Sequence, residues 1–131
     1  MGRKGSVGGV HFVQTDYWPH DTTLWVKDFK GNDVLFTYYF LHTLKLKRFD
    51  TGTSNPTLNR NLVHALNVGV PQRQEQCEIA GILKTVDRKI DIHESKKRSL
   101  QELFKTTLHK LMTAQIRIND LDIDTGEVKT W

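Results

Sequence analysis

A chain of 131 residues has room for one domain and an appendage, and its 37% hydrophobic and 26% charged content is that of an ordinary soluble protein. No apolar run approaches the ~20 residues that cross a bilayer, and the opening MGRKGSVGGV lacks the apolar core and cleavage site of a signal peptide. The net charge of +4 is compatible with a polyanion partner without demanding one, and the single cysteine, Cys77, rules out an internal disulfide and fits a reducing cytoplasm.

In chain order, GRKGSVGGVHFV predicts a Gly-rich turn leading into a strand at residues 10–13, and TTLWVKD predicts a second strand. KGNDVLFTYYFLHTLKLKRF opens on a turn at residues 30–32. It then sets Leu35, Tyr38, Tyr39, Leu41, His42 and Leu46 at helical spacing, so a helix capped by Asp33 is expected. DTGTSNPTLNRN reads as a loop in which Asn55 before Pro56 has the cap-then-first-turn arrangement of a short helix. LNVGVP predicts a short strand, and Pro71 stands at the entrance to a long helix. After Met112, QIRIND predicts one more strand before a turn-rich acidic tail.

The long helix gives the clearest periodicity. From Gln72 to Met112 there are 41 residues, or roughly 61 Å of helix at 1.5 Å per residue. Alternating steps of four and three give Ile79, Leu83, Val86, Ile90, His93, Lys97, Leu100, Phe104, Thr107 and Leu111, an apolar seam that turns polar at His93 and Lys97. A 3.5-residue period keeps one stripe facing a partner helix along its whole length. Such a helix, polar on its other faces, is marginal in water without packing. The sequence holds no second long helix, so the partner is expected from another chain. Antiparallel self-association would bring His93 and Lys97 onto their counterparts, an arrangement that sets register or simply leaves the seam wet there.

Three segments follow, at 1–71, 72–112 and 113–131, with 8 Lys and Arg against 5 Asp and Glu, 9 against 6, and 2 against 4. The fold class is α+β: a small mixed α/β piece, one long coiled-coil-type helix, and a short C-terminal strand with its tail. Catalytic readings fail. GRKGSVGG lacks the Gly-Lys-Ser/Thr ending of a phosphate loop, the six histidines are scattered without metal-ligand spacing, and the glycine after Asp120, Asp122 and Asp124 falls one position late for a calcium loop. No cofactor, no metal and no enzymatic activity are expected.

VPQRQEQCEIAGILKTVDRKIDIHESKKRSLQELFKTTLHKLMTAQIRIN resembles the distal conserved region of the specificity subunit of type I restriction-modification systems. The likeness rests on Val70 and Pro71 closing a strand, Glu75 and Gln76 opening a long helix, then Ile79, Ala80, the Asp87-x-x-Ile90 step and Leu111 with Met112. Upstream, GRKGSVGGVHFV, WPHDTTLWVKD and TGTSNPTLNRNLVHALNVGVP resemble the second half of that family's target recognition domain. The resemblance implies that residues 1–71 are a partial DNA-recognition domain reading half of a split target in double-stranded DNA. It also implies that the helix is a spacer on which modification (methyltransferase) subunits dock, and through them the restriction subunit. A full specificity subunit has two recognition domains and two such helices, so the chain is expected to be the distal part of one, with an incomplete sheet and an unpaired edge.

Under that reading, Arg3, Lys4 and Ser6 lie in a turn whose amides and cations could meet phosphate, and Lys30 lies in a second exposed turn. RFDTGTSNPTLNRN concentrates Arg48, Thr53, Ser54, Asn55, Asn59, Arg60 and Asn61, side chains that hydrogen-bond phosphates and base edges. In the plainer account Gly52 and Ser54 build the loop, Asn55 caps a helix and Asn59 stabilises a turn. Two functions remain open: a DNA-specificity module, and a protein-interaction module whose helix pairs with an intact specificity or modification subunit without binding DNA.

Overall fold

The computed structural model describes residues 1–51 and 54–118. Its elements are α1 (Val34–Thr43), a 3-10 turn (Leu46–Phe49), α2 (Arg60–His64) and α3 (Arg73–Met112). The chain divides into two compact units, Met1–Val86 and a second that begins at Asp87, so the division falls inside α3.

The first unit is organised from Asp33. Its Oδ1 accepts the Phe36 amide at 2.8 Å, the expected cap, and α1 follows. Four-residue spacing stacks Phe36 on Phe40, with centroids 5.8 Å apart, and sets Tyr38 edge-on to His42 at 4.8 Å. The helix stops at Thr43, short of Leu46. Lys45 takes a left-handed φ of 48°, which interrupts the ladder and turns Leu46 into the core. That core is Val10, Leu46 and Leu58, with Met1, Val7, Leu24, Tyr38, Leu41, Leu44, Phe49 and Val63 packed against it.

The α+β expectation holds for its helices and fails for its strands. Among the described residues the segments 10–13, 22–28 and 66–71 form no ladder, and isolated antiparallel bridges Gly2–Thr23, Lys4–Thr57 and Asp50–Leu58 take the place of a sheet. An extended segment becomes a strand only where a neighbour offers its amides and carbonyls in register over several residues. Here residues 1–5 run between 22–24 and 56–58 and spend their groups in single contacts. Leu24 N donates to Met1 O at 2.8 Å, Arg3 N to Thr22 O at 2.9 Å, and Leu58 N to Arg3 O at 2.7 Å.

The short helix also starts later than Asn55 and Pro56 imply. Thr57 and Leu58 are held extended in their bridges, so the first free cap is Asn59, whose Oδ1 accepts the Asn61 amide at 3.0 Å. At the C-terminus, the expected strand at 115–120 is replaced over its described part by a helix stop. Ala114 takes a φ of 55°, and the Gln115 and Ile116 amides fold back to Lys110 O at 2.9 and 3.2 Å. The rest of that strand and the acidic tail lie outside the described residues.

The long helix begins within one residue of expectation, and Gln76 fixes its root. This side chain is 2% exposed. Its Oε1 accepts the Asp33 amide at 2.8 Å, and its Nε2 donates to Asn32 Oδ1 at 2.8 Å and Pro71 O at 2.9 Å. Arg73 adds a bond from Nη1 to Gly31 O at 3.0 Å and a 3.5 Å contact with Asp33 Oδ2. The residue that opens the helix thus closes the turn that starts α1. Gln76→Ala leaves the Asn32 and Pro71 acceptors and the Asp33 donor without a protein partner in a partly buried site. The expected cost is about 2–3 kcal/mol of unfolding free energy, checked by urea denaturation followed by tryptophan fluorescence. A loss below about 0.5 kcal/mol would mean that water replaces the amide freely.

Candidate nucleic-acid interface

The Gly-rich opening folds tightly on itself. A Cβ on Gly2 would sit 2.0 Å from Ser6 O, and one on Gly8, which has φ +82°, would sit 2.8 Å from the Lys47 nitrogen. The amides of Gly2, Arg3, Lys4, Gly5, Val7 and Gly8 all donate to backbone carbonyls. The turn therefore has side chains, not this run of amides, to offer a phosphate.

Bridges at Gly2 and Lys4 flank Arg3, and successive side chains of extended backbone point to opposite sides. Arg3 accordingly lines one cleft of about 460 Å³ and Lys4 a neighbouring cleft of about 430 Å³, with Pro19, His20 and Thr23 common to both. In the first cleft Arg3 meets Arg60 and His64, which α2 carries one turn apart on a single face, beside the half-exposed Trp25. Arg3 Nη1 reaches Asp21 O at 3.4 Å, while its buried Nε has no hydrogen-bond partner among the described residues. In the second cleft Lys4 and Ser6 meet His11, Tyr17 and Trp18. The acid at this face, Asp21, lies 3.8 Å from Lys4 Nζ and 2.7 Å from His20 Nδ1.

The other nominated residues that the structure describes, Lys30, Arg48, Ser54, Asn55, Asn59 and Asn61, do not line the two clefts. Lys30 lies in a turn with φ 52°, its Nζ 2.9 Å from Asp28 Oδ2. The Lys30 ammonium and then its amide hold the Asp28 carboxyl below its ordinary pKa, so this cation is already matched by a neighbouring anion. The Arg48 guanidinium lies 4.7 Å from the Phe49 ring centroid. Ser54, Asn55 and Asn61 are exposed, Asn59 is the cap of α2, and Thr53 lies outside the described residues. The sequence reading does not nominate His20, Trp25 or His64; the cluster YWPHDTTLW, with aromatics and an imidazole around a proline, carries a signal for the first two, and nothing in it marks His64.

On α3, Ile79 and Leu83 are half-buried and Leu111 is partly covered, while Val86, Ile90, His93, Lys97, Leu100 and Phe104 are exposed. Every side chain from 87 to 110 is exposed. Among the described residues no helix is long and apolar enough to cross a membrane, and no His, Cys, Asp and Glu group is placed to hold a metal.

The family of the type I restriction modification DNA specificity domain matches residues 1–102. The chain belongs to that family. This specificity-domain match takes in both clefts and most of α3. The chain is also similar to the Type I restriction enzyme MjaVIII specificity subunit of Methanocaldococcus jannaschii, at 26% identity over 94 residues, 69% of this chain and 22% of that relative. It thus spans about a fifth of the length of that specificity subunit. No solved structure matches.

Proposed function

We propose that this chain is a DNA-recognition part of a type I restriction-modification specificity subunit, in which residues 1–71 hold half of a split target in double-stranded DNA. The observation that carries the reading is the convergence of Arg3 and Arg60 on one cleft, with Lys4 and Ser6 in the next. Two guanidiniums that reach one cleft from separate segments, 57 positions apart in sequence, can grip a phosphate from two sides, while Ser6 and the imidazoles supply hydrogen bonds. Lys30, Arg48, Thr53, Ser54, Asn55, Asn59 and Asn61 would serve as outlying contacts or, in the case of Asn59, as support for Arg60. The chain itself is non-catalytic in this account, and other subunits perform methyl transfer and cleavage in the cytoplasm.

The long helix acts as spacer and platform. Forty residues are about 60 Å of helix, commensurate with roughly 17 base pairs at 3.4 Å each. Modification subunits would dock on this frame, and the restriction subunit would join through them. The exposed seam supports pairing with a second copy or with another specificity subunit. It equally suits the second reading, in which the helix binds an intact specificity or modification subunit and the first unit touches no DNA.

Fluorescence anisotropy with a random-sequence duplex across a salt series separates the readings. The wild-type chain should show a log–log salt slope of several units, and Arg3→Ala with Arg60→Ala should reduce its steepness by roughly one, at about 0.9 for the one phosphate no longer neutralised. An unchanged slope would place the phosphate-binding cations elsewhere. Absence of salt-dependent binding beside intact helix-mediated association would favour the interaction module.

A further inference from the structure

We propose that Trp18 is a base-stacking side chain that receives one unstacked nucleobase on this face; the proposal rests on the DNA-binding reading above and adds to it a ligand chemistry and a residue. Trp18 is 95% exposed, more than any other large apolar side chain among the described residues. An indole in water leaves most of the 150–250 Å² of an aromatic side chain uncovered, which is unfavourable unless something covers it. Pro19 follows it directly and biases the Trp18 backbone toward extended conformations.

The surroundings select the occupant. Trp18 shares its cleft with Tyr17, a second exposed ring, and with His11, His20, Lys4 and Ser6. Flat π surfaces beside a cation, imidazoles and a hydroxyl match a base with its adjoining phosphate, since stacking holds the ring and the polar groups hold the backbone. Charge points the same way. Arg3 and Arg60 line the adjoining cleft, and the Asp21 carboxylate is engaged by Lys4 and His20. An acidic or purely apolar protein surface would leave these groups unmatched. A base inside an intact duplex has both faces covered by its neighbours, so the ligand presented to Trp18 is an unpaired base or one displaced at a kinked step.

The test compares two duplexes of about 20 base pairs, identical in random sequence except for one unpaired adenine in the second, titrated with the full chain by anisotropy. A bulge removes the cost of unstacking, so the wild-type chain should bind the bulged duplex at least about fivefold more tightly, the low end of the effect of one base-stacking aromatic. Trp18→Ala should erase that preference while keeping the salt slope on the uninterrupted duplex, and Trp18→Phe should retain part of it. Because Trp18 is in solvent, the variants should match the wild type in urea midpoint. Tryptophan emission should be quenched more by the bulged than by the uninterrupted duplex in the wild-type chain, and equally by the two in Trp18→Ala, where Trp25 beside Arg3 and Arg60 and Trp131 remain. A chain that binds the intact duplex with a salt slope but shows no bulge preference, or a Trp18→Ala variant that keeps the preference, overturns the stacking role alone. No salt-dependent binding to either duplex overturns the DNA reading together with it.

Discussion

Leu58→Ala is expected to lower the unfolding free energy by roughly 3–5 kcal/mol, the upper range for a fully buried leucine whose site cannot collapse. Leu58 is 0% exposed and forms the core with Val10 and Leu46. The segments that run beside it are also tied together through their backbone. The Leu58 amide donates to Arg3 O at 2.7 Å, and the residue bridges to Asp50. Those contacts keep the walls in place when the side chain is cut back, so a cavity remains. Against a typical total of about 5–15 kcal/mol, this one change removes a large share of the stability of a unit with so small a core. Urea midpoints read by tryptophan fluorescence measure it, with Leu62→Ala on the exposed side of α2 as a control expected to stay within about 1 kcal/mol. A similar shift for both substitutions would refute the core centred on Leu58. The same residue links function to folding, since it lies between the backbone of Arg3 and the cap that launches Arg60.

How much of this was legible in the sequence depends on the range of the interactions. The cap at Asp33 and the long helix were readable because both are local. A carboxylate three residues before an amide needs no other chain segment, and an uninterrupted seam needs only its own period. The strands do not form because a short apolar, β-branched and aromatic run such as HFV or TLWV describes half of a pairing, and the other half here offers only single bridges. Asn55 lost to Asn59 for the same reason, since distant residues Lys4 and Asp50 claim Thr57 and Leu58 first. Gln76 was visible as part of a family motif, but its role was not. Its three hydrogen bonds include two that cross more than forty residues. The clefts are the extreme case: residues 3, 20, 60 and 64 share no local signal, and only the close passage of residues 1–5 between two other segments brings them together.

The second large effect is expected at the seam. Ile90→Asp combined with Leu100→Asp should convert a self-associated chain to a monomer, with a light-scattering mass near the 15.2 kDa of one chain instead of twice that. The reason lies in the order of the seam. Antiparallel pairing centred midway between His93 and Lys97 sets Ile90 against Leu100 of the second copy, Val86 against its Phe104, Ile79 against its Leu111, and His93 against its Lys97. Apolar residues meet apolar residues on both sides of one polar layer, except where Leu83 meets Thr107. Shifting the pairing by a heptad would place Lys97 against an apolar residue, so the polar centre selects the register. Ile90 and Leu100 are 49% and 54% exposed in the single chain, so an aspartate at either site meets water in the monomer. In the pair, four aspartates would be buried without partners at several kcal/mol each, which exceeds the roughly 8 kcal/mol that holds a micromolar dimer. Ser99→Asp, off the seam, is the control for added charge alone and should leave the mass unchanged. If the wild-type chain is already a monomer at tens of micromolar concentration, about tenfold above the affinity just considered, self-pairing is wrong. The exposed seam is then a surface for a different helix, and mixing the chain with an intact specificity subunit becomes the decisive experiment.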